Sequence, residues 1–401
     1  MDEARDEAKG MGSEKGSSRL IWLLALCCFV LGCSQQYILG VPDQVAATLG
    51  ISLGQVSLLM TAFGLINAFL APVIVMLTAR YSARVQLLIG LACMAVGLLM
   101  TAVTSIFPLQ MVARGIMGMG NGAFVATAYS ASQKLAAPGK QASAMANVAL
   151  GFSAASVLAM PIARALRESV SWQNAYLVIA IFAVAAFLVI AKVFPNTAPD
   201  TEDLTVKQRL APLANKAVMF AYAGTTFMVC AFACFYTYVT PFLDAFVPQF
   251  NAYLSIVLLV VGLMSMLGTK LHGWLADRAG LRTAIMTSFI CSTLSLLLIF
   301  FCEGAGLGLV GALCLYQLFA WAFLPVQNTL LASLAGDGAR MAIALSSSFL
   351  QLGNAIGAAI AGIAVSSAPF GALPLIAFPF ALLAIVAEVT ALTFAAKKIA
   401  R

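Results

Sequence analysis

Few side chains in this sequence can carry charge inside apolar surroundings, and those few set its chemistry. Arg114 stands in ARGIMGMGNGA (113–123), about seven residues, or ~10 Å, into an apolar run. A guanidinium at that depth costs several kcal/mol unless it is paired or faces water. Arg114, Gly118 and Asn121 recur at i, i+4 and i+7, so they share one helix face. Two readings stay open: Arg114 meets a substrate or takes part in proton coupling, or it ties backbone carbonyls and amides together. Carboxylates are as scarce. Asp43 at the end of the first apolar run, Asp244 just past Pro241, and Glu388 in the last run are the candidates for a proton site.

Amides and aromatics recur at helical spacing in other runs. Gln317, Trp321, Leu324 and Asn328 form one stripe; Ser347, Gln351 and Asn354 form another. Phe29, Cys33 and Gln36, then Phe63 and Asn67, then Thr225, Phe232 and Tyr236 continue the pattern. Amides donate and accept without demanding a counter-ion, so a cavity built from these residues suits neutral or amphipathic molecules. Each amide could equally join helices. His272, the single histidine, is expected to be a partly hydrated helix-end residue rather than a relay.

The elements that must hold these residues follow from composition. A chain of 401 residues that is 62% hydrophobic and 9% charged cannot hide its apolar surface in a water-soluble globule. About twelve segments are long enough to cross a bilayer: 19–41, 54–79, 85–105, 107–132, 141–166, 172–194, 217–242, 252–276, 281–302, 306–333, 340–366 and 372–396. Each is expected to be a helix, because lipid leaves an open backbone unpartnered. An all-α membrane protein is the fold class. Lysines and arginines crowd one set of loops (Arg80, Arg84, Lys134, Lys140, Arg278, Arg282, Arg340), while Arg164 and Arg167 fall on the other. This bias predicts cytoplasmic termini in a cell membrane, read as a bacterial inner membrane. The net charge of +7 then reflects topology and attraction to anionic lipid, with no basic soluble domain for nucleic acid. Nine scattered cysteines and one histidine give no metal cluster, and no H-E-x-x-H, nucleophile elbow or carboxylate dyad points to an enzyme.

An internal repeat divides the chain. YILGVP (37–42) and YTYVTP (236–241) stand 199 positions apart, each closing the first span of its half. VMLTARYSAR (75–84) and GWLADRAGLR (273–282) follow the second spans, and only the later one keeps an acid, Asp277, where the earlier has Ala79. The expected organisation is a polar, disordered tail 1–18, a six-helix half 19–194, a linker 195–216, a second half 217–396 and a tail 397–401. Two such halves, related by a pseudo-two-fold axis along the membrane normal, are a transporter architecture.

With these motifs in place the sequence resembles the major facilitator superfamily over about residues 20–396. GWLADRAGLR matches its loop pattern G-x-x-x-D-R-x-G-x-R through Gly273, Asp277, Arg278, Gly280 and Arg282, with Arg80 and Arg84 in the partner loop. Arg114 and Gly118 match the fourth-helix pattern. YTYVTPFLDAF and SSSFLQLGNAIGAAIAG look most like the twelve-helix drug:proton antiporter group, in particular its arabinose-efflux-permease-like members. The fifth-helix pattern is echoed by GFSAASVLAMPIARAL, with Ala159 and Ala163 where glycine is usual. The resemblance implies efflux of small molecules by alternating access, driven by proton entry. No carboxylate lies in the core of the first span, which keeps open an alternative: a uniporter or exchanger for an anionic metabolite paired with Arg114. Asp277 is expected to latch near Lys140 and Gln141 when that end closes. A small-molecule substrate and membrane lipid are the expected partners, with no cofactor and a monomeric state.

Overall fold

The computed structural model describes residues 2–137, 140–196 and 211–399. Among them regular structure is helical throughout. The first group comprises α1 (Asp2–Gln36), α2 (Pro42–Leu49), α3 (Leu53–Thr78), α4 (Ala83–Val103), α5 (Phe107–Leu135), α6 (Gln141–Leu166) and α7 (Trp172–Val193). The second comprises α8 (Lys216–Tyr236), α9 (Val239–Phe246), α10 (Leu254–Ala279), α11 (Leu281–Phe301), α12 (Leu307–Ala320), α13 (Phe323–Ala335), α14 (Ala339–Ser367) and α15 (Leu373–Ile399).

Local chemistry sets many of the ends. Ser52 opens α3 with a capping box, accepting from the Gln55 amide at 3.3 Å while the Gln55 side chain accepts from the Ser52 amide at 2.9 Å. Ser82, Ser171 and Asn215 cap α4, α7 and α8 in the same way. Gly280, at φ +87°, makes the turn between α10 and α11 in a backbone region that side chains rarely adopt.

Two expectations about elements change. The segment 1–18, expected as a disordered tail, is helical from Asp2 and runs into α1. Its Glu, Ala and Lys residues favour helix, and its leading acids suit the helix dipole. The run 306–333, expected as one helix, is broken at Trp321–Ala322 into α12 and α13. Pro325 has no N–H to offer the Trp321 carbonyl and crowds it sterically. The Leu324 amide turns to that carbonyl instead, at 3.3 Å. Most of the expected linker, and Arg401, lie outside the described residues.

Among the described residues, eleven helices or helix pairs are long and apolar enough to cross a membrane. The expected twelfth, α5, falls outside that set because it carries Gln110, Arg114, Asn121, Thr127 and Ser132, all of them buried. Lipid-facing surface comes from other helices, through side chains such as Phe69, Leu77, Phe301 and Ile363.

Helices α1 and α3–α7 pack among themselves, as do α8 and α10–α15. The groups meet where α3 lies along α14 and α6 lies along α10. These are the second and fifth helices of each half, exchanged, as a pseudo-two-fold axis requires. The repeat is visible locally too: Tyr37 and Tyr236 both stand where a first helix ends, and Pro42 and Pro241 lie in the first turns of the short helices α2 and α9.

Candidate substrate and gating site

The ion pairs and most of the hydrogen bonds between described residues of the two halves gather at the end that carries Asp244. Arg164, at the end of α6, forms a short ion pair with Asp244 of α9. Arg167 stands 4.0 Å from Asp244 and 3.5 Å from Asp43. The Thr240 hydroxyl donates to the Leu39 carbonyl at 2.8 Å, and the Tyr238 hydroxyl donates to the Leu53 carbonyl at 2.7 Å. Gly54 and Gly362 let α3 and α14 approach at backbone distance, since a Cβ on Gly54 would fall 2.5 Å from the Gly362 carbonyl. Further down this seam the Thr61 hydroxyl donates to the Ala355 carbonyl at 3.2 Å. Burial pushes the Asp244 carboxyl above the usual carboxylate range, against the opposing pull of Arg164 and Arg167.

At the opposite end, Asp277 is exposed, and among the described residues nothing pairs with it. Arg278 stacks on Trp274, 4.5 Å from the ring centre, and Arg282 is exposed. A Cβ on Gly273 would meet nothing within 4 Å. Arg80 turns to the Tyr81 hydroxyl at 3.0 Å, whereas Arg84 donates to the Ala191 carbonyl and so caps the end of α7. Between described residues of the two halves, hydrogen bonds and ion pairs therefore close the Asp244 end and leave Asp277 unlatched.

Between these ends lie the inner helices. Phe232 stacks on Tyr236 with ring centres 4.7 Å apart and meets Trp321 edge-on at 5.0 Å. Trp321 is half-buried at the break between α12 and α13, so a ring set on α8 faces the interruption in the tenth span. The Asn354 amide donates to the Gln351 oxygen at 3.1 Å. Asn67 is buried with its oxygen beside Gly122, next in sequence to Asn121. Asn121 and Gln317 are buried and Asn328 is half-buried, each with an amide oxygen that lacks a protein partner. Gln36 is half-buried where α1 ends.

Arg114, for which two readings stand open, is 0% exposed in this conformation. Nη1 donates to the Ser34 carbonyl at 3.1 Å and Nη2 to the Tyr176 hydroxyl at 2.6 Å, while Tyr176 itself donates to Ser34 at 2.9 Å. The last turn of α1 leaves carbonyls without helical partners, and the guanidinium takes one of them up. His272 differs from expectation: it is fully buried, with Nδ1 3.0 Å from the Gly268 carbonyl and its ring edge-on to Phe319. The helix runs on to Ala279, so this residue is not at the end. Sequence reasoning overlooked Tyr176 and Tyr316, which sit on aromatic faces with no polar spacing to flag them. It also counted Arg164 only as a loop charge. Glu388 is fully buried between α8, α13 and α15.

Two helical groups joined by ion pairs and hydrogen bonds at the Asp244 end, with rings and amides on the helices between the ends, have the architecture of a membrane carrier. The chain belongs to the Major Facilitator Superfamily, whose sequence model matches residues 24–340. It is 29% identical over 368 residues to the uncharacterized MFS-type transporter YbcL of Bacillus subtilis, covering 92% of this chain and 94% of that one. It is 30% identical to the putative transporter AraJ of Escherichia coli over 86% of this chain and 87% of the relative. Its fold matches a bacterial homologue of the human lysosomal transporter Spinster, solved inward-facing and unoccupied. That match has a TM-score of 0.70 at 14% identity and covers 95% of this chain and 96% of the other. The protein is a multi-pass membrane transporter and not an enzyme.

Proposed function

We propose that this transporter exports small neutral or amphipathic molecules by alternating access, in exchange for protons. The observation that carries the reading is the aromatic set of Phe232, Tyr236 and Trp321 in ring contact, while two Arg114 nitrogens donate to the Ser34 carbonyl and the Tyr176 hydroxyl. Rings accept flat apolar groups and amides accept neutral polar ones, so no charged substrate is called for. The lysine and arginine bias of the loops supports a cytoplasmic Asp277 end with both termini on that side, and we read the protein as a monomer in a bacterial inner membrane. The conformation described is then inward-facing.

Asp244 is where an outside proton enters the cycle. Its carboxyl is pushed up by burial when the Asp244 end is closed. Protons arriving from outside therefore favour closure of that end, the direction an exporter needs once substrate has left. Asp43, more exposed and paired with Arg167, supports the same cluster.

Transport by the protein reconstituted in liposomes, with and without an imposed pH gradient, tests this reading. A fluorescent amphipathic amine or neutral dye should move against its gradient only when protons flow the other way. Equal movement with and without the gradient overturns proton exchange. Movement of organic anions alone overturns the substrate class and favours an exchanger.

A further inference from the structure

Glu388 lies about 17 Å from the end of α15 and about 22 Å from its start, at 0% exposure. Its Oε2 accepts a hydrogen bond from Gln327 Nε2 on α13 at 2.9 Å. The same Gln327 nitrogen donates its second hydrogen to the Ala221 carbonyl on α8, at 3.1 Å. Both amide donors are thus spent. Two buried oxygens remain with no protein partner: Glu388 Oε1 and Gln327 Oε1, one on each member of a pair already joined. Acceptors cannot satisfy one another, and both lie where water does not reach.

One proton removes both deficits. Placed on Glu388 Oε1, it makes the carboxyl a donor, and Gln327 Oε1 is the acceptor beside it. The two groups then form a cyclic acid–amide pair with a hydrogen bond in each direction.

The charged surroundings lead to the same place. On α8 the titratable side chains are Lys216, about 12 Å from Gly224 along the helix, and Tyr222, Cys230, Cys234 and Tyr236. The Tyr222 hydroxyl is turned to the Ala342 carbonyl at 2.7 Å. Packed α11 carries Arg282 at its first turn and Cys291, and α13 carries no titratable residue. Among the described residues no cation pairs with Glu388. An ionised carboxylate there would bear a desolvation cost of several kcal/mol with only the one Gln327 hydrogen bond to offset it.

The site is also shaped for the carboxyl. A Cβ on Gly224 would fall 2.6 Å from Glu388 Oε2, so the glycine leaves the space that the acid fills.

We infer that Glu388 is a proton-binding site whose proton stays in place throughout the transport cycle, holding α13 to α8 and α15 as a neutral acid–amide clamp. The clamp has a mechanical use. The break at Trp321–Ala322 frees α13 from α12, and Gln327 re-anchors it one position before Asn328. Glu388 is then excluded as the coupling carboxylate. The inference is independent of proton exchange, since a fixed proton serves a uniporter equally well.

Infrared difference spectra of the purified full chain against Glu388→Gln test the site directly. The carbonyl stretch of a protonated carboxyl should be present in the wild type and constant from about pH 5 to about pH 7. It should be absent in Glu388→Gln and displaced in Gln327→Leu, where its hydrogen-bond partner is gone. A missing band, or one that fades with an ordinary carboxylate midpoint, overturns the inference. Glutamine at 388 presents the same donor and acceptor as the protonated acid. Glu388→Gln should therefore transport within a factor of about two of wild type, with its gradient response intact. A folded Glu388→Gln protein that has lost only the gradient response would make Glu388 a coupling site and sink the clamp. If that variant fails to accumulate, the wild-type band and its displacement in Gln327→Leu decide the matter alone.

Discussion

Arg114 meets the Ser34 carbonyl and the Tyr176 hydroxyl, and its ring contact with Tyr176 is 5.0 Å from guanidinium carbon to ring centre. It joins α1, α5 and α7, which makes it a brace in the conformation closed at the Asp244 end. Each hydrogen bond from a charged group contributes about 1.5–3 kcal/mol, and removal strands the acceptor as well. Arg114→Ala should therefore lower the melting midpoint of the purified transporter and reduce its yield. Arg114→Lys should recover part of the loss, since an ammonium reaches one oxygen but not both. A midpoint unchanged from wild type, with transport abolished, would return Arg114 to the cavity wall. The residue was conspicuous in the sequence because a charge in an apolar run demands an explanation. Its partners were not, because a backbone carbonyl at the end of another helix leaves no mark on residue types.

Helix limits were far more legible than helix interruptions. The span 141–166 coincides with α6, and 281–302 matches α11 to within one residue, because polar breaks and serine or glycine signals bound them. The tenth span hid its break, since apolar residues continue across Trp321 and Ala322 and the helical spacing from Gln317 to Asn328 stays in register. Pro325 was the only local sign. That interruption brings Trp321 to Phe232, and the Trp321 carbonyl takes the Leu324 amide in place of a helical partner. Pro325→Ala supplies the missing N–H and removes the clash, so α12 and α13 should fuse. Amide hydrogen exchange across residues 321–326 should slow, and transport should fall as Trp321 leaves its ring partners. Unchanged exchange would show that packing by neighbouring helices, not proline, holds the break open.

At the scale of the whole molecule, alternating access is a contest between two ends, and the ends are built differently. One is held by Arg164, Arg167, Asp43 and Asp244, whereas at the other Asp277 is unpaired among the described residues and alanine stands in the matching place at 79. Only the first couples closure to a carboxyl whose affinity for protons rises with burial. When that end opens, Asp244 meets water and returns toward the ordinary carboxylate value of about 3.9. The closed form then binds protons more tightly than the open form. Its extra stability is fully present below the ordinary value and is lost as pH rises through the raised one. Lowering pH should thus increase the fraction closed at the Asp244 end, read as distances between spin labels placed on the α2 and α9 segments. In Asp244→Asn the fraction should no longer respond to pH, whatever its starting value. A pH response of equal size in that variant would place the titrating group elsewhere in the gate and remove Asp244 from the cycle.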